Sequence, residues 1–274
     1  MRQLSSRYPL WLCDVWGVIH DGVTAFAPAY EALRKHRENG GLVLLITNAP
    51  RLAGNVAEQL DSLRMPRACY DAIVTSGDVT RSLIVLNGKG AVYHIGPERD
   101  LGIFHNLQTE LVPLEKAHAV VCTGLFDDTA ETPEDYAATL ARMKALGLPM
   151  ICANPDKIVR RGAHIIYCAG AIAERYEENG GQVLMAGKPF RPIYDLALKM
   201  AAGIRKAPVG KKDVLAIGDG PETDIAGAAA YGIDCVLITG GISDASLSPE
   251  AVEREVRAKV PQAHIVEVLP ELDW

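Results

Sequence analysis

Four places in the chain carry polar residues of the kinds that phosphoryl transfer uses, and each place follows an apolar run. In chain order they supply a carboxylate, a hydroxyl, a lysine and a pair of carboxylates: Asp14, Thr47, Lys188, Asp219 and Asp224. A carboxylate can attack phosphorus and form an acyl phosphate that water later hydrolyses, which divides one difficult step into two. Hydroxyl and ammonium groups neutralise and orient the transferring phosphoryl oxygens. The order of these residue types therefore indicates phosphoryl transfer.

The apolar runs predict the elements that position these residues. Leu10–Cys13 and Leu42–Thr47 are predicted strands, and a helix that begins at Pro28 is predicted between them. Strands that alternate with helices in this way predict a parallel sheet covered on both faces. Ligands of such sheets bind beyond the carboxyl ends of the strands, so we expect the five residues to meet at one edge.

Each residue taken alone has a plainer explanation. A carboxylate at the end of a strand more often forms a turn or a cap, and Asp219 and Asp224 could cap a helix predicted over Thr223–Tyr231. A lysine before a proline, such as Lys188, is usually solvated, and Thr47 could simply end its strand. All five residues at one edge of one sheet, in this order, favour a functional site over separate turns.

These residues and their neighbours resemble the haloacid dehalogenase (HAD) superfamily of aspartate-nucleophile phosphatases. The resemblance is to its subclass IIA, which has a large α/β cap and is typified by NagD-like nucleotide phosphatases and 4-nitrophenylphosphatase-like enzymes. Three strings suit that group: Thr47-Asn48 before a helix, Asn154-Pro155-Asp156, and Gly187-Lys188-Pro189. The resemblance covers nearly the whole chain and implies an α/β fold, with a Rossmann-like, doubly wound parallel sheet as the core and an inserted α/β cap domain. We expect residues 1–78 and 186–274 to form the core and residues 79–185 to form the cap.

The resemblance implies a Mg²⁺-dependent phosphatase that hydrolyses a small phosphorylated metabolite. Asp14 matches the nucleophile that carries an aspartyl phosphate, and Thr47 and Lys188 match the residues that bind the phosphate. Mg²⁺ prefers oxygen ligands. The resemblance implies that three carboxylates and one backbone carbonyl hold it: those of Asp14, Asp219 and Asp224, and that of Trp16.

The cap is implied to select the substrate. We assign substrate binding there to Asn154 and Asp156, together with Asn48 next to the phosphate-binding threonine. A plain turn is an equally good explanation of Asn154-Pro155-Asp156. The pair Arg160-Arg161 could meet a substrate phosphate, but we favour a solvated basic pair.

Trp16 departs from the family pattern. The superfamily usually has a second aspartate two residues after the nucleophile, which protonates the leaving oxygen and later activates water. The indole of Trp16 cannot relay a proton, and general acid catalysis typically contributes about 10²–10⁴-fold. Three interpretations remain open: a phosphatase limited to good leaving groups, an enzyme that uses another acid, and a catalytically weak phosphate-binding or regulatory protein.

His20 and Asp21 are the nearest replacement acids in sequence, but we favour for them the shaping of the turn before Gly22. We adopt the limited phosphatase as our hypothesis, because the set that begins with Asp14 is otherwise intact. The phosphate-binding or regulatory protein is the alternative.

The composition limits the partners. The 274 residues carry a formal net charge of −6, so binding of a nucleic-acid backbone by a basic face is not expected. The apolar runs are much shorter than the ~20 residues of a membrane span, and the six cysteines lie far apart without a C-x-x-C pair. We therefore expect a soluble, cytoplasmic protein that binds neither nucleic acid nor membranes. The resemblance also suggests a homodimer formed through the cap. The sequence itself does not indicate the oligomeric state.

Overall fold

Strands and helices alternate along most of the chain, as the sequence predicts. The computed structural model describes residues 1–161, 164–241 and 248–274, without the side chains of residues 160, 161 and 164. The side chains of the pair Arg160-Arg161 therefore lie outside the described part of the molecule.

The strands follow one another as β1 (Leu10–Asp14), β2 (Leu42–Thr47), β3 (Ala72–Thr75), β4 (Ala91–Ile95), β5 (Glu110–Leu111), β6 (Ala119–Cys122), β7 (Met150–Cys152), β8 (Ile158–Arg161), β9 (His164–Tyr167), β10 (Val183–Met185), β11 (Val214–Gly218), β12 (Asp234–Ile238) and β13 (Ile265–Leu269). The α-helices are α1 (Arg2–Arg7), α2 (Ala27–Glu38), α3 (Ala53–Ser62), α4 (Ser76–Asn87), α5 (Ala137–Ala145), α6 (Ala169–Glu178), α7 (Arg191–Arg205), α8 (Ala226–Tyr231) and α9 (Pro249–Lys259). Short 3₁₀ segments lie at Arg67–Cys69, Glu98–Phe104, Leu114–Lys116, Pro133–Tyr136 and Lys211–Asp213, and a π-helical turn lies at Pro221–Ile225.

One compact unit contains a six-stranded sheet and comprises Met1–Thr47, Val56–Val74 and Lys188–Trp274. The strand order is β13-β12-β11-β1-β2-β3, and the pairs from β13 through to β2 run parallel. The strands β1, β2 and β11 are buried along their whole length, as expected for strands that are covered on both faces. The predicted doubly wound core is confirmed.

The chain changes its direction of travel across this sheet between β1 and β11. From β1 it proceeds to β2 and β3 on one side, and it later fills β11, β12 and β13 on the other. The carboxyl ends of the strands that flank such a switch point form the crevice where open α/β sheets bind ligands. Asp14 ends β1 and Asp219 directly follows β11, so the topology alone brings two of the predicted acids to this crevice.

A second compact unit comprises Asn48–Asn55 and Thr75–Gly187. Its five-stranded sheet has the order β10-β7-β6-β4-β5 with parallel pairs, and β8 and β9 form a separate antiparallel hairpin. Side chains of its strands and helices form two buried clusters. Leu140 of α5 and Ile172 of α6 belong to one, and Ile84 of α4 belongs to the other. The predicted inserted α/β cap is confirmed as an element of the fold.

The second unit contains three segments that we expected in the core: Asn48–Asn55, residues 75–78 and residues 186–187. A backbone hydrogen bond ties Asn48–Asn55 to the second unit. The amide of Gly77, in α4, donates it to the backbone carbonyl of Ala49 at 3.1 Å. The expected boundaries at 78/79 and 185/186 contrast with unit boundaries at 74/75 and 187/188.

Two findings bear on the environment of the protein. Among the described residues, every helix is too short or too polar to cross a membrane. The six cysteines are free thiols and all are buried.

Candidate active site

The carboxyl ends of β1 and β2 place a carboxylate and a hydroxyl at the same edge of the core sheet. Asp14 pairs in register with Ile46 of the parallel strand β2, so Thr47 stands one residue beyond it. Both Asp14 and Thr47 are only 6% exposed. The sequence pattern produces this arrangement because two apolar runs of nearly equal length end in polar residues.

Asp224 is held against the end of β11 by the π-helical turn. One of its oxygens, Oδ2, accepts a hydrogen bond of 3.1 Å from the backbone amide of Gly220. A Cβ atom on Gly218, the last residue of β11, would lie 2.2 Å from the Asp224 carboxyl carbon. A glycine is therefore required there for the carboxylate to approach the strand.

Asp219 lies between two backbone segments that are equally close. A Cβ atom on Gly17 would lie 2.1 Å from its Oδ2 atom, and one on Gly241 would lie 1.9 Å from the same oxygen. Gly17 also has a positive φ of 84°, a conformation that glycine adopts without steric cost. We did not single out Gly241 from the sequence, although it belongs to a Gly-Gly pair just beyond the end of β12, and such a pair marks a turn.

Three buried carboxylates converge at this edge. Asp14, Asp219 and Asp224 each offer an oxygen, and these oxygens all lie within 4.8 Å of one another. Like charges at such distances repel, and a hard divalent cation that takes oxygen ligands relieves the repulsion. The donor set thus fits a metal such as Mg²⁺. The backbone of Gly17, the residue that follows Trp16, passes directly beside Asp219.

Lys188 inserts its ammonium group between two of these carboxylates. Its Nζ atom lies 2.5 Å from Oδ1 of Asp14 and 2.8 Å from Oδ1 of Asp224, and its side chain is 3% exposed. Burial opposes the charge on Lys188, but the two carboxylates outweigh burial and raise the pKa of the ammonium well above its ordinary value. Lys188 is therefore a buried cation and not the solvated lysine of the plainer explanation.

The pKa of Asp14 is raised above its ordinary value. Burial is the largest cause, the negative charge of Asp224 is the next, and Lys188 opposes both. Three carboxylates against one ammonium leave an excess of negative charge in a buried place. A bound cation would offset that excess and keep Asp14 in the ionised form that a nucleophile needs.

The ring of Trp16 packs on the loop that follows β1. It is half-buried and meets the ring of His20 edge-on, with 5.2 Å between the ring centroids. Gly22 has a φ of 88°, and a Cβ atom there would lie 2.4 Å from the indole. The indole and the loop therefore support one another.

The hydrogen bonds of His20 and Asp21 are those of a turn. Nδ1 of His20 accepts a bond of 2.9 Å from the amide of Gly22, and burial lowers the pKa of His20 to about 4. Oδ1 of Asp21 accepts bonds from the amides of Val23 and Thr24, at 2.9 Å and 2.6 Å. Both groups are occupied in shaping the turn, and His20 is neutral at physiological pH.

The other predicted substrate residues are brought together in the second unit. Nδ2 of Asn48 donates a hydrogen bond of 2.9 Å to Oδ1 of Asp156. Oδ1 of Asn154 accepts a bond of 3.1 Å from the amide of Asp156. These three residues form one hydrogen-bonded cluster, whereas Thr47 and Lys188 belong to the first unit.

Known proteins resemble this chain along almost its full length. Sequence models for haloacid dehalogenase-like hydrolases match residues 11–110 and residues 185–272. A haloacid dehalogenase-like hydrolase from Brucella suis 1330 is 46% identical, and its crystal structure matches 99% of this chain and 98% of its own with a TM-score of 0.91.

Two more distant proteins are also similar to this chain, the first in its fold and the second in its sequence. The 4-nitrophenylphosphatase of Thermotoga maritima is 20% identical, with 98% of this chain and 96% of that chain covered and a TM-score of 0.75. The 5'-nucleotidase YutF of Bacillus subtilis (strain 168) is 24% identical over 257 residues, which are 92% of this chain and 95% of that protein. The full-length match at 46% identity, supported by both sequence models, shows that the chain belongs to the haloacid dehalogenase-like hydrolase family, as its motifs predicted.

Proposed function

We propose that the protein is a Mg²⁺-dependent phosphatase that hydrolyses a small phosphorylated metabolite through an aspartyl phosphate on Asp14. The observation that carries the proposal is the buried group in which Lys188 Nζ contacts both Asp14 and Asp224, while Asp219 lies with them in a potential metal site. The relatives named as a 4-nitrophenylphosphatase and a 5'-nucleotidase support phosphate monoesters as the class of substrate.

In the first step, a carboxylate oxygen of Asp14 attacks phosphorus. A bond forms between that oxygen and phosphorus, and the bond from phosphorus to the leaving oxygen breaks with its electron pair on the leaving group. The ammonium of Lys188 and the hydroxyl of Thr47 neutralise and orient the phosphoryl oxygens. Asp14, Asp219, Asp224 and the carbonyl of Trp16 would hold Mg²⁺, which would supply further neutralisation of charge.

In the second step, water attacks the same phosphorus. The bond between phosphorus and the Asp14 oxygen breaks with its electron pair on the carboxylate, and the two protons of the water leave with the inorganic phosphate. The side chain at position 16 does not protonate the leaving oxygen in the first step and does not accept a proton from water in the second. We therefore propose that the substrates are phosphates with good leaving groups, whose oxygen departs as an anion without a proton from the protein.

Phosphate release in the presence of Mg²⁺ tests the proposal. Acetyl phosphate and 4-nitrophenyl phosphate, which have good leaving groups, should be hydrolysed much faster than a simple alkyl phosphate. The Asp14→Asn variant is the blank, and a screen of phosphorylated metabolites against the same blank identifies the substrate. Absence of release from both acetyl phosphate and 4-nitrophenyl phosphate would overturn the proposed activity.

The second candidate is a phosphate-binding or regulatory protein with little turnover. The environment of Trp16 favours it, because the neighbouring His20 is neutral and engaged with Gly22. BeF₃⁻ with Mg²⁺ mimics the phosphoryl group on an aspartate. Tight binding of this mimic without phosphate release from any substrate would favour the second candidate.

We further propose a cytoplasmic homodimer formed through the second unit. The buried free thiols support a reducing compartment. The hairpin of β8 and β9 exposes Ile158, Ile165 and Tyr167 to solvent by 44%, 59% and 41%. A two-stranded hairpin is only marginally stable without further packing. Sedimentation should give a dimer for the wild type and a monomer for Ile165→Lys, and a wild-type monomer would contradict the proposal.

A further inference from the structure

The chain passes between the two compact units directly beside two residues of the site. One crossing lies between Thr47 and Asn48, and another lies between Gly187 and Lys188. Consecutive Cα atoms are about 3.8 Å apart. The positions of Asn48 and Gly187 therefore constrain where the Thr47 hydroxyl and the Lys188 ammonium can lie.

Asn48 and Gly187 touch one another within the second unit. A Cβ atom on Gly187 would lie 2.3 Å from Oδ1 of Asn48 and 2.8 Å from the Cδ atom of Pro155. Any side chain at position 187 would push the two crossing segments apart. The glycine is required here for space, since its φ does not fall in the left-handed region.

Asp156 fixes the other end of the Asn48 side chain. Its Oδ1 accepts the 2.9 Å hydrogen bond from Nδ2 of Asn48, which is 3% exposed. The backbone of Asp156 is itself held, because its amide donates to Oδ1 of Asn154 and its carbonyl accepts from the amide of Gly170 at 3.1 Å. Gly170 lies in the first turn of α6, so Asp156 anchors Asn48 to a rigid element.

We propose that Asp156 and Gly187 are positioning residues, which hold the two crossing segments together and thereby set the phosphate-binding geometry of Thr47 and Lys188. The inference rests on the proposed function. It gives Asp156 a role through Asn48 in place of the contact with substrate that we expected from the sequence. A displacement of about 1 Å in a catalytic group can lower a rate by about 100-fold, so a small shift of either segment matters.

Asp156 could act by contact with the leaving group or by positioning Thr47 and Lys188, and the two roles predict different effects on phosphate binding. A residue that contacts the leaving group affects substrates according to their leaving groups, and it leaves the binding of inorganic phosphate unchanged. A residue that positions Thr47 and Lys188 affects every phosphate equally, including inorganic phosphate, which has no leaving group. The affinity for inorganic phosphate with Mg²⁺, measured by calorimetry, therefore separates the roles, and it does so even without turnover.

The experiment compares four variants with the wild type. Asp156→Ala and Gly187→Ala should each weaken phosphate binding by about 10- to 100-fold and lower kcat/KM for acetyl phosphate and 4-nitrophenyl phosphate by one common factor. Asp156→Asn keeps an acceptor oxygen at the same place and should recover most of the affinity. Gly203→Ala is the matched control, since a Cβ atom there meets nothing within 4 Å.

Thermal unfolding of each variant ensures that only folded protein is compared. Unchanged phosphate affinity in folded Asp156→Ala and Gly187→Ala would overturn the proposal. A loss that differs between the two substrates while phosphate binding is unaffected would overturn it in favour of direct contact with the leaving group. If the wild type binds phosphate but hydrolyses neither substrate, the proposed function fails, and the phosphate affinities still decide the positioning role.

Discussion

Replacement of Trp16 by aspartate tests the central idea about the chemistry, namely that this position limits the leaving group. The family usually has an aspartate there, and the loop after β1 carries the residue two positions beyond the proposed nucleophile Asp14. Restoring a proton donor should raise the hydrolysis of an alkyl phosphate, with an upper limit of about 10²–10⁴-fold for general acid catalysis. An aryl phosphate, whose leaving group needs little protonation, should gain much less.

The packing of the indole determines how much this substitution lowers the free energy of unfolding. The indole is half-buried against His20 and Gly22. Truncation of a fully buried aromatic side chain costs about 3–5 kcal/mol, so roughly half of that, about 2 kcal/mol, is expected here. Trp16→Asp should therefore unfold at a lower temperature than the wild type while it gains activity on alkyl phosphates.

Trp16→Asn is the matched control, because it loses the same packing and cannot relay a proton. The assay is kcat/KM for an alkyl and an aryl phosphate with each of the three proteins. The ratio of alkyl to aryl activity should rise at least about tenfold in Trp16→Asp and stay near the wild-type ratio in Trp16→Asn. An equal gain on both substrates, or the same gain in both variants, would refute the reasoning.

The remaining predictions concern the buried charges and the glycines of the core. Millimolar MgCl₂ should raise Tm, since a ligand that binds only the folded state stabilises it, and Asp219→Asn should lose most of that rise; an equal rise in both proteins would contradict the metal site. Gly17→Ala should also lose the rise in Tm, because a Cβ atom there would lie 2.1 Å from Asp219. Gly40→Ala is the control and should keep the rise, because Gly40 has a similar φ of 83° and a Cβ atom there meets nothing within 4 Å. Burial lowers the pKa of His36 from 6.5 to about 4, so the folded state disfavours the protonated form. The free energy of unfolding should fall as pH drops from 6.5 towards 4, by up to about 3 kcal/mol from this group. Denaturant titration of His36→Phe should show a weaker pH dependence, and an unchanged dependence would show that His36 contributes nothing.

The sequence predicted the core of the fold because strands buried on both faces are continuous apolar runs. For this reason the sequence identified two strands, Leu10–Cys13 and Leu42–Thr47. The observed β1 and β2 match them within one residue. The polar residues at their ends then followed from the rule that parallel sheets bind ligands at the carboxyl edge. Local patterns and one topological rule were sufficient for Asp14 and Thr47 to be found.

Contacts between distant parts of the chain were not predictable in the same way. The bond between Asn48 and Asp156 joins residues that are 108 positions apart, and no local pattern encodes such a pairing. The helix predicted over Thr223–Tyr231 begins as α8 only at Ala226, because a π-helical turn over Pro221–Ile225 comes first. That turn brings the Asp224 carboxylate to the amide of Gly220. Such π-helical turns occur frequently at functional sites, and helix propensity does not predict them.

Charge balance connects the metal, the lysine and the tryptophan. Three buried carboxylates face one ammonium, so an arriving phosphate would meet an excess of negative charge unless a divalent cation were bound. An ionised aspartate at position 16, two residues after Asp14, would add to that excess. In the proposed mechanism, Trp16 therefore removes a proton donor and, by the same substitution, a source of repulsion for the phosphate. Weak acid catalysis combined with undiminished phosphate affinity is the behaviour that this arrangement favours, and it is the reason why phosphate binding and turnover have to be measured separately in every variant.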